Sequence, residues 1–389
     1  MKELVQKHPS VRLVTRDHVL FPGLMIVDPK LLKEFLTNHE NYAKTSNGST
    51  ISDLLLKRGL TKTEGKLWKK HRKILTTAFR YEFFKSMVPS ILDILDEILE
   101  IPEKKVQKIL GTRDVEKITS EVITRIFFGI KAKDHSINGK NALDEVGYLL
   151  RQNIVYNNHK YRMLLGNWVM YLSADFREAI SRTKAFRAYF GEIINQRMKN
   201  IKENGSEKKQ ENNRQDLLGI FVEIAKESNE DPEKCFDTEE ILDEFLTFFV
   251  AGKDTTSVLI TMALYYYAKN PEWGKKLEEE INQLGEITLE GISNMKLMDA
   301  YLKECLRMVP PAPITIPRTA ARDHILGDIQ VKKGTLMFAM FLSNNFNEKY
   351  FKNPNEFNPG RFLEQNDDFI KDPFVYLPFS AGGRNCIGQ

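Results

Sequence analysis

One cysteine near the end of the chain lies among residue types that suit a thiolate ligand. Residues 379–389 read Phe-Ser-Ala-Gly-Gly-Arg-Asn-Cys-Ile-Gly-Gln, with the cysteine at position 386. The three glycines let the main chain turn sharply and bring backbone N–H groups close to the sulfur, where they stabilise its charge. Arg384 adds a positive charge, and Phe379 is expected to keep water from the sulfur. The pattern predicts that Cys386 ligates a metal as the thiolate.

Other interpretations of the cysteines fit less well, although one stays open. The chain has three cysteines, Cys235, Cys305 and Cys386, without the C-x-x-C pair of zinc or redox sites and without the C-x-x-C-H pattern of covalent haem attachment. Three scattered thiols give no disulfide framework, which fits a reducing compartment. A lone cysteine is also commonly a small apolar residue in a glycine-rich turn, and the residues alone leave that alternative open.

A long apolar run is interrupted at its centre by residues that could carry protons. Asp237-Thr-Glu-Glu240 has the pattern of a capping box, and a buried helix, apolar on nearly every face, is predicted over residues 241–267. We expect the Thr255 hydroxyl to bond back to the carbonyl one turn earlier. Asp254 and Thr255 could then relay protons. The alternative is a threonine that satisfies its own backbone beside an aspartate in an ordinary ion pair.

Taken together, these motifs resemble those of the cytochromes P-450. The spacing Phe379-x-x-Gly382-x-Arg384-x-Cys386-x-Gly388 is similar to the cysteine signature of that family, and the segment around Asp254 and Thr255 is similar to its oxygen-activating helix. The resemblance implies haem b (iron protoporphyrin IX) with the Cys386 thiolate as axial ligand, a ligation that favours O–O cleavage. It also implies that Asp254 and Thr255 are the catalytic residues that manage protons.

Further residues match the contacts that the family makes to the haem propionates. Trp68 and Arg72 lie four residues apart, on one helix face, and match its W-x-x-x-R pair. Arg318 follows a proline-rich stretch where the family has another propionate-binding arginine. The cofactor-binding residues that the resemblance implies are therefore Trp68, Arg72, Arg318, Phe379, Arg384 and Cys386.

Three lysines lie on the opposite side of the predicted helix that carries the W-x-x-x-R pair. Lys69, Lys70 and Lys73 are expected to form either a landing patch for an acidic electron donor or only a solvated face. His71 is rejected as a second axial ligand, because its helical position directs it away from the Trp68 face and the family leaves the distal site open for oxygen.

A second charged pair resembles a structural feature of the family. Glu304 and Arg307 lie one turn apart on a helix predicted over residues 295–308, and Arg361 is the later arginine that completes the cluster in the family. Gly360 replaces a residue that is commonly acidic there, so the local geometry is open to change. We predict that this cluster is a scaffold for the cysteine loop and not part of the catalytic machinery.

The amino-acid composition and the hydrophobic pattern of the sequence limit the possible fold classes. The chain has 389 residues, of which 42% are hydrophobic, and a net charge of only +4, which indicates no nucleic-acid partner. Helices are predicted over most of residues 66–309, short strands over 11–27 and 325–336, and a mobile polar loop over 199–216. The expected fold is mainly α with a small β region, in one large domain over residues 1–389.

The resemblance also implies a complete reaction. The expected enzyme is a monooxygenase that inserts one oxygen atom of dioxygen into a lipophilic small molecule with electrons from an NADPH-dependent reductase. The expected location is the cytosolic face of the endoplasmic reticulum membrane for a full-length parent, because residues 382–389 resemble those of eukaryotic microsomal members of the family. Compared with those members, the chain is expected to lack the N-terminal anchor and the segment after the cysteine loop. The alternatives are a truncated or inactive haem-binding fragment and a haem-binding sensor or electron carrier.

Overall fold

The computed structural model describes residues 11–14, 23–38, 40–44, 50–79, 81–98, 112–131, 134–137, 139–157, 165–204, 216–363 and 372–389. Helices contain 62% of the residues and strands contain 8%, which confirms the mainly α class with a small β region. The chain divides into two compact units, residues 1–45 with 258–389 and residues 46–257, and each is described by itself. One domain over residues 1–389 stays a prediction.

The α-helices are α1 (Pro29–Thr37), α2 (Thr50–Leu56), α3 (Gly65–Ala78), α4 (Tyr81–Ile98), α5 (Thr112–Phe128), α6 (Ala142–Asn157), α7 (Ala174–Asn204), α8 (Leu217–Glu227), α9 (Thr238–Lys269), α10 (Pro271–Asn282), α11 (Leu289–Ser293), α12 (Lys296–Met308) and α13 (Leu342–Asn345). Short 3₁₀-helices cover Asn167–Leu172 and Pro359–Phe362. The strands are β1 (Val11–Val14), β2 (Gly23–Ile26), β3 (Tyr42–Lys44), β4 (Ser136–Ile137), β5 (Lys140–Asn141), β6 (Arg318–Ala320), β7 (His324–Leu326), β8 (Ile329–Val331) and β9 (Leu336–Ala339).

The first unit contains a five-stranded sheet with the order β1-β2-β9-β6-β3, in which β2 and β9 are parallel. Helix α1 packs on this sheet. Asp28 caps the helix by accepting hydrogen bonds from two backbone N–H groups of the first turn, and Pro29 begins it with a φ that already suits a helix. Leu32, Phe35 and Leu36 follow at helical spacing and are fully buried in the same cluster as the sheet. The sheet therefore fixes the C-terminal end of α1.

A second cluster in the first unit holds α12. Tyr301 and Cys305 of α12 are buried with Tyr266 of α9 and Leu277 of α10. The rings of Tyr266 and Phe357 stack with their centroids 4.1 Å apart. Helix α12 begins one residue after the start predicted from the sequence and ends at the predicted residue, and this packing orients its charged face.

The first half of α9 forms the centre of the second unit. The predicted capping box is confirmed: the backbone N–H of Glu240 donates to Asp237 Oδ1 at 2.6 Å, and the N–H of Asp237 donates to Glu240 Oε2 at 3.0 Å. Downstream, Phe245 and Phe249 are almost fully buried, and Phe245 packs edge-on against Phe128 of α5. These phenylalanines of α9 are therefore held in the core of the second unit.

Two sequence predictions need correction. The prediction that α9 is buried over its whole length is wrong, because its second half packs one side against α10 and α12 and leaves Leu264 and Tyr265 43% and 49% exposed. The predicted loop over residues 199–216 is partly helical, because α7 continues to Asn204 and Asp216 caps α8 by accepting from the N–H of Gly219 at 2.8 Å. Residues 205–215 of that prediction lie outside the described residues.

The predicted short strands are present. Strands β1 and β2 pair antiparallel, with Val11 opposite Ile26, while the segment predicted to join them lies largely outside the described residues. Strands β7 and β8 form a hairpin, and β9 begins at Leu336, the last residue of the predicted extended stretch. The alternation of β-branched residues with turn residues accounts for these short strands.

Candidate active site

The cysteine loop is held in a tight conformation by its own backbone. The N–H of Cys386 donates to the carbonyl of Phe379 at 2.9 Å, and the N–H of Asn385 donates to the carbonyl of Gly382 at 3.1 Å. Ser380 and Gly382 have φ values of 62° and 75°, in the left-handed region that favours glycine. Of the three cysteines in the chain, all of them described, Cys386 is the exposed one, whereas Cys235 and Cys305 are buried.

Glycine is required at position 382 by close packing as well as by its φ. A Cβ atom there would overlap the carbonyl oxygen of Leu36 and lie 3.0 Å from its carbonyl carbon. The close approach at Gly382 is thus to the main chain of α1, whereas the predicted approach of backbone N–H groups to the sulfur stays a prediction. At Gly388, by contrast, a Cβ would make ordinary contact with Cys386 Sγ at 3.8 Å. The loop is thus anchored at Gly382 to the last turn of α1.

Arg318 contacts the same end of α1. The side chain is 6% exposed, its guanidinium carbon lies 5.1 Å from the centroid of the Phe35 ring, and its Nη1 donates to the Phe35 carbonyl at 3.5 Å. Carbonyl groups of a last helical turn carry partial negative charge, which favours a cation there. The structure therefore brings Arg318 and the Cys386 loop to neighbouring carbonyls of one helix, and Arg384 and Phe379 lie half-buried in that loop.

The polar interruption of α9 has the predicted back-bond and an additional cation. The Thr255 hydroxyl donates to the carbonyl of Ala251 at 2.7 Å, as predicted, and the threonine is exposed. Asp254 Oδ1 is bound by the ammonium of Lys253 at 2.6 Å, and the same ammonium lies 3.5 Å from Glu116 of α5. The Lys253 side chain is 6% exposed, so a buried cation connects two carboxylates.

Helix α5 lies directly against this part of α9. The Thr119 hydroxyl donates to the carbonyl of Lys253 at 3.2 Å, and a Cβ at Gly252 would come within 2.7 Å of Ile123 Cδ1. The absence of a side chain at Gly252 therefore leaves room for Ile123 of α5. The hydroxyl bond at the Lys253 carbonyl offers that group a partner outside the helical ladder.

Helix α3 separates its functional side from its charged side less cleanly than the sequence predicted. Trp68 is 8% exposed and Arg72 is half-buried. Lys69 and Lys73 are exposed, but the ammonium of Lys70 binds Glu240 at 2.6 Å and its side chain is only 15% exposed. The prediction that Lys70 belongs to a landing patch or to a solvated face is therefore wrong, because an acidic partner on α9 captures it.

The predicted scaffold cluster is fully assembled in the first unit. Glu304 and Arg307 are completely buried and form a bidentate pair, with 2.7 Å between Nε and Oε2 and 2.8 Å between Nη2 and Oε1. Arg361 Nε donates to Glu304 at 3.1 Å, so the third member joins the cluster in spite of Gly360. The usual interpretation of an E-x-x-R pair as a solvated surface pair does not apply here.

Several buried ion pairs were missed by sequence reasoning. Glu240, Asp243 and Glu244 lie on the first two turns of α9, are all nearly inaccessible to solvent, and receive basic residues from other helices. The signal that could have revealed them is the presence of acids within an otherwise apolar helix, since buried acids need partners. The identities of those partners are set by the tertiary fold and not by local sequence.

The predicted site residues are divided between the two units. The first unit holds Cys386 and its neighbours in the loop, together with Arg318. The second holds Trp68, Arg72, Asp254 and Thr255. Within the part of the chain that the structure describes, no helix is both long and apolar enough to cross a membrane.

Comparison with known proteins identifies the family. The sequence profile of the family Cytochrome P-450 matches residues 4–389. Secologanin synthase 1 of Catharanthus roseus is 29% identical over 385 residues, which cover 95% of this chain and 70% of the relative. The 7-deoxyloganic acid hydroxylase of the same plant is 30% identical over 382 residues, which cover 95% of this chain and 71% of the relative.

The fold agrees with this assignment. The crystal structure of a cytochrome P-450, CYP102L1, matches with a TM-score of 0.80 at 21% identity, over 99% of this chain and 86% of the other. The family implies a haem-thiolate cofactor, a redox partner and a lipophilic substrate. With a family match over almost its whole length and monooxygenase relatives of similar sequence, the chain belongs to the cytochrome P-450 family and is an oxidoreductase of the monooxygenase class.

Proposed function

We propose that the protein binds haem b through the Cys386 thiolate and inserts one oxygen atom of dioxygen into a lipophilic small molecule. The electrons come, in this proposal, from an NADPH-dependent reductase. The observation that carries it is the exposed Cys386 thiol in a loop anchored to the same helix end as Arg318. The other two cysteines of the chain are buried and lack that accessibility.

The chemistry of the residues in the first unit fits this cofactor. A haem needs one accessible thiolate and cationic side chains for its propionates, and this unit offers Cys386, Arg384 and Arg318. Trp68 and Arg72 of α3 are the proposed further propionate contacts. When bound, a thiolate-ligated haem supplies the activation of dioxygen for insertion into a C–H bond.

The loop around the thiol is proposed to fix the direction of this exposed ligand. The hydrogen bond from the Cys386 N–H to the Phe379 carbonyl closes the turn, and the contact of Gly382 with Leu36 prevents the loop from moving inward. A fixed loop holds the ligand at one orientation without an entropic cost at each binding event. Phe379 is proposed to exclude water from the sulfur.

Asp254 and Thr255 are proposed to move protons during the reaction. The Thr255 hydroxyl donates a hydrogen bond to the Ala251 carbonyl, so its oxygen is available to accept a hydrogen bond from water. Asp254 can hold a proton on its carboxylate, and its side chain is 48% exposed. Lys253 holds Oδ1 of this carboxylate at 2.6 Å and thereby limits its orientations.

We also propose that the neighbours of Asp254 control its part in proton transfer. Residues 253 and 254 are consecutive on a helix, so their side chains leave it about 100° apart. The ion pair therefore draws the Asp254 carboxylate toward Lys253 and α5, where Glu116 competes for the same ammonium at 3.5 Å. Exchange of Lys253 between Asp254 and Glu116 would free the Asp254 carboxylate to act with Thr255.

The finer parts of the proposal rest on resemblance. The names secologanin synthase and 7-deoxyloganic acid hydroxylase describe enzymes that act on small molecules, and the second name describes hydroxylation. We extend to this chain only the reaction type. The NADPH-dependent reductase and the endoplasmic reticulum membrane are proposals of the same origin.

The proposal is tested by following oxygen into product. The holoprotein, an NADPH-dependent reductase, NADPH and isotopically labelled dioxygen are combined with a panel of fatty acids, sterols and aromatic compounds that first give a ligand-induced spectral change. Incorporation of one labelled atom in product, with NADPH consumption that depends on substrate, is the expected result. Haem binding without labelled product across every binding compound would instead indicate a sensor or an electron carrier.

A further inference from the structure

A histidine that the proposed reaction does not use is buried between two glutamates of α9. His71 of α3 is 0% exposed, its Nδ1 lies 2.6 Å from Glu244 Oε1, and its Nε2 lies 3.2 Å from Glu240 Oε1. Both ring nitrogens are therefore engaged by carboxylates, and the ring also packs edge-on against Phe236 with 4.9 Å between centroids. An imidazole donates through both nitrogens only when it carries two protons.

The charges around this histidine come from three segments of the second unit. Lys70 binds the other oxygen of Glu240 at 2.6 Å, so that carboxylate is shared by two cationic side chains. The N–H of Leu60 donates to Glu244. The charged groups that face His71 or its two carboxylate partners are Glu240, Glu244, Lys70, Asp243, Asp237 and Arg58.

Charge balance favours one proton held between His71 and Glu244. Lys70 and Glu240 neutralise each other, and the remaining pair is neutral only when His71 and Glu244 share a proton. Loss of that proton would leave an uncompensated negative charge in a site with no solvent exposure, which is costly. The cluster therefore retains the proton, and the carboxylate oxygens at both ring nitrogens favour its position on the imidazole.

The acid–base properties agree with this charge balance. Burial acts to lower the pKa of His71, but the hydrogen bonds to Glu240 and Glu244 outweigh it and the pKa is raised. Burial raises the pKa of Glu244 in spite of its bond to His71, so the pair as a whole retains its proton. Burial opposes ionisation of Glu240 as well, yet the bonds from His71 and Lys70 bring its pKa to about 2.

The position of His71 connects this cluster to the proposed cofactor contacts. Arg72 is the next residue of α3, and Trp68 lies one turn earlier on the same helix. Glu240 and Glu244 lie on α9, the helix that carries Thr255. We propose that His71 is a positioning residue whose bridge to Glu240 and Glu244 clamps α3 against α9 and so holds Trp68 and Arg72 in place for the haem. This inference rests on the proposed haem contacts of those two residues.

The clamp predicts the direction in which stability and haem retention change with pH. A histidine whose pKa is raised above the unfolded value of 6.5 contributes stability that is complete below that value. That contribution is lost as the pH rises through the higher pKa of the folded state. Retention of haem should therefore weaken on the alkaline side, while acidification toward pH 6 should leave the clamp intact.

The experiment compares the full chain with His71→Gln and with Ile74→Val. Glutamine can hydrogen-bond but cannot hold the proton, whereas Ile74, a buried residue of the same helix, loses only a methyl group. Transfer of haem to excess apomyoglobin and thermal unfolding of the haem-free chain are measured from about pH 6 to about pH 9. We expect His71→Gln to release haem roughly tenfold faster than the parent near pH 6, and its release rate should depend little on pH.

The outcomes separate the inference from the proposed function. Ile74→Val should lower the unfolding temperature and keep the pH profile of the parent. If His71→Gln shows the parent's profile in both measurements, or if Ile74→Val flattens it equally, the clamp is refuted. If no form gives a thiolate-type carbon monoxide spectrum, the proposed function fails, and the unfolding profile still decides whether the clamp exists. Glu244→Gln replaces His71→Gln if the latter does not fold.

Discussion

Replacing Arg307 by methionine should be far more damaging than removing a similar ion pair from the surface of the same helix. Arg307 is completely buried, and its Nε and Nη2 both donate hydrogen bonds to the carboxylate of Glu304. It also donates to the carbonyls of Asn345, Pro354 and Glu356 at 2.7, 2.8 and 3.0 Å. Methionine fills similar space but donates nothing, so a buried carboxylate loses its main cation and three carbonyls lose a donor.

The burial of this ion pair determines how much unfolding free energy Arg307→Met should lose. Breaking a buried ion pair by removing one partner costs about 3 to 5 kcal/mol, because the remaining charge stays buried. That cost corresponds to a change in the unfolding equilibrium of roughly a hundredfold to several thousandfold. The matched control is Lys303→Met, which removes the bond from Lys303 to Asp299 on the same helix, where the two side chains are 46% and 62% exposed. The control should cost about 0.5 kcal/mol or less.

Equilibrium unfolding in urea, followed by far-ultraviolet circular dichroism, measures both variants against the parent. The expected result is a large fall in the midpoint for Arg307→Met and almost none for Lys303→Met. Arg307→Lys should fall between Arg307→Met and the parent, because an ammonium keeps the positive charge but cannot make the planar, two-pronged contact with Glu304. If Arg307→Met and Lys303→Met differ by less than about 1 kcal/mol, the inference of a buried scaffold cluster is wrong.

Three further predictions concern the loop, the proton carriers and the donor surface. Gly382→Ala should lower haem occupancy and thermal stability much more than Gly334→Ala. Both glycines have a positive φ, but a Cβ at position 334 would meet nothing within 4 Å. Equal losses in the two variants would mean that backbone strain, and not the contact with Leu36, explains the effect. Thr255→Ala should retain haem but divert electrons to peroxide, and product per NADPH equal to the parent's would contradict the relay. Reversing the charges of Lys69 and Lys73 should slow reduction by the partner in a salt-dependent way, and rates that stay flat in stopped-flow measurements would mean that these lysines are only solvated.

Local sequence patterns predicted the elements that carry the site. The capping box at Asp237 and the apolar run after it located α9, and the helix predicted over residues 295–308 ends at the residue where α12 ends. The back-bond of Thr255 followed from helix geometry alone. These features depend on residues within a few positions of one another, which is why the sequence was enough to predict them.

The features that the sequence did not predict depend on long-range contacts. Lys70 was assigned to a surface, because nothing in its own helix indicates that Glu240, 170 residues later, binds it. The pairing of Lys253 with Glu116 has the same origin. Burial of Glu304 could not be read from the E-x-x-R spacing, since the same spacing serves exposed pairs equally well. In each case the tertiary fold, and not the local sequence, determines which residue is the partner.

The proposed function requires Cys386 to be the thiolate ligand of the haem. The most direct test is the carbon monoxide spectrum of the reduced, haem-reconstituted protein for the parent, Cys386→Ala and the buried-cysteine control Cys235→Ala. We predict the red-shifted Soret band of thiolate ligation in the parent and in Cys235→Ala, and its loss in Cys386→Ala. A red-shifted band that persists without Cys386, or one that never forms in the reconstituted parent, would contradict the assignment of Cys386 as the haem ligand.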